Sequence, residues 1–262
     1  MLSPGIEQFR MNKEEALISY LLRLGDNALV LGQRLIEIVA NGPELEEELA
    51  NANIALDYLG QARMFYSYAG ELEGNGRGED DFAFLRDEHE FKNFLLVEQP
   101  NGNFADTIAR QVLFDVFYRL QLDALILCSD ERLAEIAAKS VKEILYHLRH
   151  GKQWLIRLGD GTEKSHQRIT KSVQKFWRYT GEMLSGDELD DAMKKEWNGP
   201  DLKLLKDEWR KEVAVILNEA TISLPGEQWM AAGGKQGHHT EHFGYLIAEM
   251  QYMQRAYPGA SW

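Results

Sequence analysis

Cysteine is nearly missing from this chain. The one thiol, Cys128, has no partner for an intrachain disulfide and reads as a small buried hydrophobe. Long apolar runs are missing too. Nothing approaches the ~20 residues that cross a bilayer, and the opening stretch from Met1 to Glu15 holds no apolar signal core. The chain is therefore expected in the cytoplasm, away from membranes. It also lacks a basic surplus: 29 Lys and Arg face 42 Asp and Glu, a formal charge of −13. Such a balance offers nothing to displace phosphate counterions, which argues against nucleic acid as a partner class. Alternating β-branched runs, the mark of strands, are nearly absent.

What is present is helical periodicity. A first helix is expected from about Lys13 to Ala40, with Leu17, Leu21, Leu24, Ala28, Leu31, Leu35 and Val39 spaced by threes and fours. Asn41-Gly42-Pro43 stops it, and Pro43 opens a second helix reaching about Leu72, with Glu44, Glu46, Glu47 and Glu48 at its positive end. A shorter helix is expected over about Phe82–Val97, a third long one from Asn103 to Cys128, and a fourth from Glu131 to Leu158. Further helices are expected near Ser165–Leu184, Pro200–Ala220 and Thr240–Ala256. The fold class is all-α, a four-helix bundle with additional C-terminal helices in a single domain spanning 1–262, whose residues 1–12 form a flexible extension.

Four helices of ~25 residues invite a test for a di-iron carboxylate site. Such a site takes a carboxylate from each of two helices and a Glu-x-x-His pair from each of the other two. Residues three apart share a helix face and can reach one metal pair. The sequence contains one Glu-x-x-His, Glu163 to His166, placed in a Gly-Asp-Gly turn outside the long helices. It reads as a chance match on a loop.

Two segments carry a family resemblance. Asp57-Tyr58-Leu59-Gly60-Gln61 resembles the Asp-Glu-x-Gly-His segment of the catalytic, di-iron subunits of bacterial phenylacetyl-CoA epoxidases. Lys142-Glu143-Ile144-Leu145-Tyr146-His147 resembles their Lys-Glu-Glu-x-Phe-His. The ligand positions then fall on Tyr58, Gln61, Ile144 and His147, with Asp115 on the third helix and, by a looser alignment, Asn27 on the first. Asp115 and His147 keep a ligating group; isoleucine has none, and two or three ligands cannot hold two irons. If buried, Asp115 and His147 must pair with each other, with Tyr58 or with water.

The stronger resemblance is to the metal-free C-type subunits of the same enzymes. It rests on Leu24-Gly25-Asp26-Asn27, Pro43-Glu44-Leu45-Glu46, Leu59 to Arg63, Asn218 to Thr221, Glu249 to Tyr252 and, above all, the run from Leu96 to Arg110. The resemblance implies a ferritin-like bundle. It also implies a non-catalytic structural subunit that pairs, as a heterodimer or higher assembly, with a di-iron A subunit in aerobic phenylacetate degradation. This chain would hold no cofactor; NADPH, FAD and iron–sulfur would belong to a separate reductase. The rival reading is an active di-iron carboxylate oxygenase with a rearranged ligand set.

Phenylacetyl-CoA would lie at the subunit boundary. The resemblance points to Glu90, Phe91, Lys92 and Asn93, and to Asp191, Ala192 and Met193 in a turn-rich connection after Gly186. Lys92 could meet a phosphate, whereas Asp191 would repel one. Trp177, Trp197, Trp209, Trp229 and Trp262, with Phe176 and Tyr179, offer spare aromatic surface for a partner. His238, His239 and His242 read as structural groups around a helix start rather than as metal ligands.

Overall fold

A computed structural model describes residues 12–39 and 41–260. The expected N-terminal extension lies outside these residues except for Asn12, which caps the first helix: its side chain accepts from Glu15 N, and Glu15 answers at Asn12 N.

Four long helices form the bundle: α1 (Lys13–Ile38), α2 (Leu45–Glu73), α3 (Phe104–Leu125) and α4 (Glu131–Gly159). They are followed by α5 (Glu163–Trp177), α6 (Thr180–Met183), α7 (Glu188–Trp197), α8 (Leu202–Glu219) and α9 (Glu241–Ala256). No strand occurs among the described residues. The architecture is a ferritin-like helical bundle. α1 packs mainly on α2 and α3 mainly on α4, while α5 and α8 cover α3 and α4. One apolar cluster runs from Ala16 on α1 to Ile247 on α9. The α1–α2 approach is close: a Cβ at Gly32 would sit 3.2 Å from the Ala55 carbonyl.

Three sequence expectations need correction. The helix foreseen over Phe82–Val97 is instead one π-helical turn (Asp81–Leu85), one 3-10 turn (Glu88–Glu90) and a buried irregular segment. Buried side chains of other elements take the amides that a helix would have used. Asp26 accepts from Lys92 N (2.7 Å), Asn27 from Phe94 N (2.9 Å) and Glu182 from Leu95 N (2.9 Å). Tertiary acceptors thus outcompeted local periodicity. The connection after Gly186 is not turn-rich but helix α7, opened by a reciprocal cap between Asp187 and Asp190 and closed by Asn198 in the left-handed region. Glu163 and His166 lie on the first turn of α5 rather than on a loop, and His166 Nδ1 bonds the Gly159 carbonyl at 2.7 Å.

Candidate functional site

The centre of the bundle is polar. α2 brings Tyr58 and α3 brings Asp115 into direct contact, the phenol donating a hydrogen bond to the carboxylate. Gln111, one turn before Asp115, donates through Nε2 to both carboxylate oxygens at 2.9 Å and stands 3.0 Å from the Tyr58 hydroxyl. The His147 ring lies 5.1 Å from the Tyr58 ring, centroid to centroid. All four side chains are buried. Burial pushes the Asp115 carboxyl up to about 6, against the opposing pull of His147, Tyr58 and Gln111. Burial, reinforced by the neighbouring Asp115, also raises the Tyr58 phenol well above its ordinary range.

The other positions are used differently. His147 does not pair with Asp115; its Nε2 meets Asp57 Oδ2 at 2.9 Å. Gln61 donates to Glu143 Oε2 at 2.8 Å. Ile144 is fully buried among apolar side chains. Asn27 faces the irregular segment, donating to the Arg23 carbonyl and accepting from Phe94 N. Asp57, Gln111 and Glu143 carry bonds that the sequence reading did not assign. Asp57 and Glu143 each directly precede a ligand position, and Gln111 lies one turn before Asp115; that adjacency was the available signal.

These groups do not fit a di-iron centre. Asp115 already accepts from two donors, Tyr58 is held as a neutral phenol, Gln61 donates its amide to a carboxylate, and Ile144 supplies nothing. Among the described residues, no three His, Cys, Asp or Glu side chains converge as metal ligands. Gln61 Oε1, Gln111 Oε1, His147 Nδ1 and the Tyr118 hydroxyl are buried without a protein partner among those residues.

Of the two stretches expected at the substrate, the first reaches a cleft and the second does not. Glu90 and Lys92 line one cleft of about 460 Å³ with Leu22, Arg23, Asp187 to Leu189, Lys235 and Gln236. Phe91, Asn93 and Met193 are buried and Asp191 is exposed on α7, and none of these four lines the cleft. Ala192 is half-buried against the core. The cations of the cleft are already engaged. Arg23 donates to Asp187 Oδ2 (2.6 Å) and Asp190 Oδ1 (3.3 Å), and Lys235 donates to Asp190 Oδ2 and the Ser185 carbonyl, each at 2.7 Å. Lys92 Nζ donates to the carbonyls of His89 (2.9 Å) and Gln236 (3.1 Å), and burial lowers its pKa.

The sequence profile of the family described as phenylacetic acid catabolic protein matches residues 4–262. The chain belongs to this family. It is also 52% identical, over 246 residues, to the C subunit of the 1,2-phenylacetyl-CoA epoxidase of Escherichia coli (strain K12), a match covering 94% of this chain and 99% of that protein.

The aromatics do not form the spare surface expected from the sequence. Trp177, Trp209 and Phe176 are buried, and Tyr179 and Trp197 are half-buried; Lys13 sits 3.9 Å over the Trp197 ring. Trp229 is exposed, and Trp262 lies outside the described residues. Exposed apolar side chains gather elsewhere, with Leu45, Leu49 and Leu56 on one stripe of α2 and Leu145 and Tyr146 on α4. No helix among the described residues is long and apolar enough to cross a membrane.

Proposed function

We propose that this chain is the non-catalytic structural subunit of a multicomponent 1,2-phenylacetyl-CoA epoxidase, pairing with a di-iron A subunit in the cytoplasm during aerobic phenylacetate degradation. The observation that carries this reading is the donor set at the bundle centre: isoleucine at a ligand position, and a carboxylate already committed to Tyr58 and Gln111. The rearranged-ligand alternative gains no support, because Asp57, His147, Gln61 and Glu143 bond one another in pairs across α2 and α4. The 52% identity to the C subunit of such an enzyme supports the assignment to the complex. Redox groups then belong to the other components: iron to the A subunit, and NADPH, FAD and iron–sulfur to the reductase.

The leucine stripe of α2, with Leu145 and Tyr146, supports a docking face for the A subunit, since an exposed apolar stripe of this kind is costly in a free chain. Phenylacetyl-CoA fits the reading at the boundary, in the cleft beside Lys92. With Arg23, Lys92 and Lys235 engaged, that cleft suits the uncharged arm of the coenzyme better than its phosphates.

The test is co-purification with iron analysis. The isolated chain should carry no stoichiometric iron and show no oxygen-dependent turnover. Mixed with a di-iron A subunit, it should co-elute, and L49E with L56E should abolish co-elution without lowering Tm. About two irons per isolated chain, or pairing untouched by the double substitution, would refute the assignment or the docking face respectively.

A further inference from the structure

A second cleft lies between α5, α6, α8 and the irregular stretch before α9, with a volume of about 320 Å³. Its floor is aromatic. Trp177 and Trp209 stack obliquely with ring centroids 5.4 Å apart. The Trp209 indole is satisfied by the Leu113 carbonyl at 3.0 Å. Trp177 is 5% exposed. One wall is Met230, seated so closely on Gly181 that a Cβ there would stand 2.7 Å from Met230 Cβ. A backbone bond from Ala231 N to the Arg178 carbonyl (2.8 Å) pins that wall.

The rim is cationic. Lys206 and Arg210 stand one turn apart on α8 and line the same cleft. In a chain with 42 carboxylates against 29 cations, neither has an ion-pair partner among the described residues. The one carboxylate in the lining, Glu182, is buried and already accepts from Leu95 N, Gly233 N and Lys235 N. An aromatic floor, a sulfur wall and two cations without ion-pair partners among the described residues at one edge form a complementary set. They match a planar ring that carries an anionic group on a short arm. The volume is at the small end for ligand clefts, enough for one ring and its substituent.

We propose that this cleft binds a small aryl carboxylate, its ring on Trp177 and Met230 and its carboxylate between Lys206 and Arg210. The site is separate from the cleft beside Lys92 and does not depend on the role given to that cleft.

The test is calorimetric titration of the full chain with phenylacetate, repeated with its uncharged analogue phenylacetamide. Binding of the acid at about 1 mM or tighter is expected, as for a small ligand using most of its atoms. The amide should bind at least about tenfold more weakly, and K206A with R210A should weaken the acid by a similar factor, since each removes the charge-assisted contact. Both substituted residues are exposed, so the fold is retained. Equal affinity for acid and amide, an unchanged affinity in the double variant, or no saturable heat up to about 10 mM would each overturn the proposal.

Discussion

Replacing Asp115 by asparagine should stabilise the protein at neutral pH. The Asp115 carboxyl is fully buried, and burial raises its pKa from the ordinary 3.8 to about 6. The folded state therefore holds this proton more tightly than the unfolded state does. Stability from this group is complete below about pH 4 and is lost as pH rises through about 6, a change of up to roughly 3 kcal/mol. Asparagine is neutral throughout and removes the loss. Its Oδ1 can take the Tyr58 hydroxyl. Its Nδ2 can donate to Gln111 Oε1, which has no partner among the described residues, once the Gln111 amide turns over. D115N should thus gain about 1–3 kcal/mol at pH 8 and nothing at pH 4. The assay is urea unfolding followed by far-UV circular dichroism between pH 4 and 8, reading the variant–parent difference. Other acidic groups titrate in both proteins and cancel. A difference that does not change with pH, or a variant less stable than the parent at pH 8, would refute the reasoning.

Other perturbations are equally specific. His239 is enclosed, with Nδ1 at 2.7 Å from Glu98 Oε2 and Nε2 at 3.0 Å from the Phe91 carbonyl, so both ring nitrogens face acceptors and the arrangement favours the imidazolium form. Burial lowers its pKa, but the Glu98 bond and charge prevail and leave it above the ordinary 6.5. Its stabilisation is complete below that value and fades as pH rises through the folded pKa, so H239Q should flatten the fall in Tm on the alkaline side; an unchanged slope would count against the imidazolium. E182Q should cost about 2–4 kcal/mol in urea unfolding and expose residues 221–240 to protease, because one carboxylate binds three backbone amides; wild-type protection would refute that role. I144E should cost about 3 kcal/mol or more by placing a carboxylate in the apolar layer, and a recovery of Tm on adding ferrous iron would contradict the statement that the donor set does not fit metal. G25A should lose about 2 kcal/mol because the new methyl meets the Tyr66 ring, which is fixed by Asp26 and Arg86; an unshifted Tm would show that the ring yields.

The long helices were legible because their signals are local. Apolar spacing of threes and fours, Asn12 before Glu14 and Glu15, and Asn103 before Asp106 mark where they start and which face they bury. The stretch after Phe82 was not legible because its conformation is decided at a distance. Asp26, Asn27 and Glu182 lie far away in sequence and take its amides, and no window around Phe91 contains them. Helix α7 was missed because Asp187, Asp190 and Asp191 resemble a solvated loop until the Arg23 and Lys235 that pair with Asp187 and Asp190 are brought in from α1 and from the loop before α9. At the bundle centre, Tyr58 and Asp115 could be brought together by alignment of helix positions. Gln111 could not, since nothing marks one buried glutamine as the donor to a particular carboxylate.

The same centre bears on how the two helix pairs are joined. Between α2 and α4 the side-chain links are polar along their whole length: Glu47–His150 and Asp57–His147 at 2.9 Å, Gln61–Glu143 at 2.8 Å, Tyr68–Asp130 at 2.8 Å, and Glu71–Arg132. The exposed Glu71–Arg132 pair contributes at most about 1 kcal/mol, and the partly buried links lose much of their gain to desolvation. Metal ligands drawn from α2, α3 and α4 would tie those helices far more firmly. A chain whose central positions hold Tyr58, Gln61 and Ile144 must instead rely on apolar packing across the bundle and on the helices α5 and α8 laid over α3 and α4. On that view the apolar outer stripe of α2 is more than a sticky surface. A partner seated on Leu49 and Leu56 would brace the α2 side of this polar-linked seam, and the seam should open less readily in the complex than in the free chain.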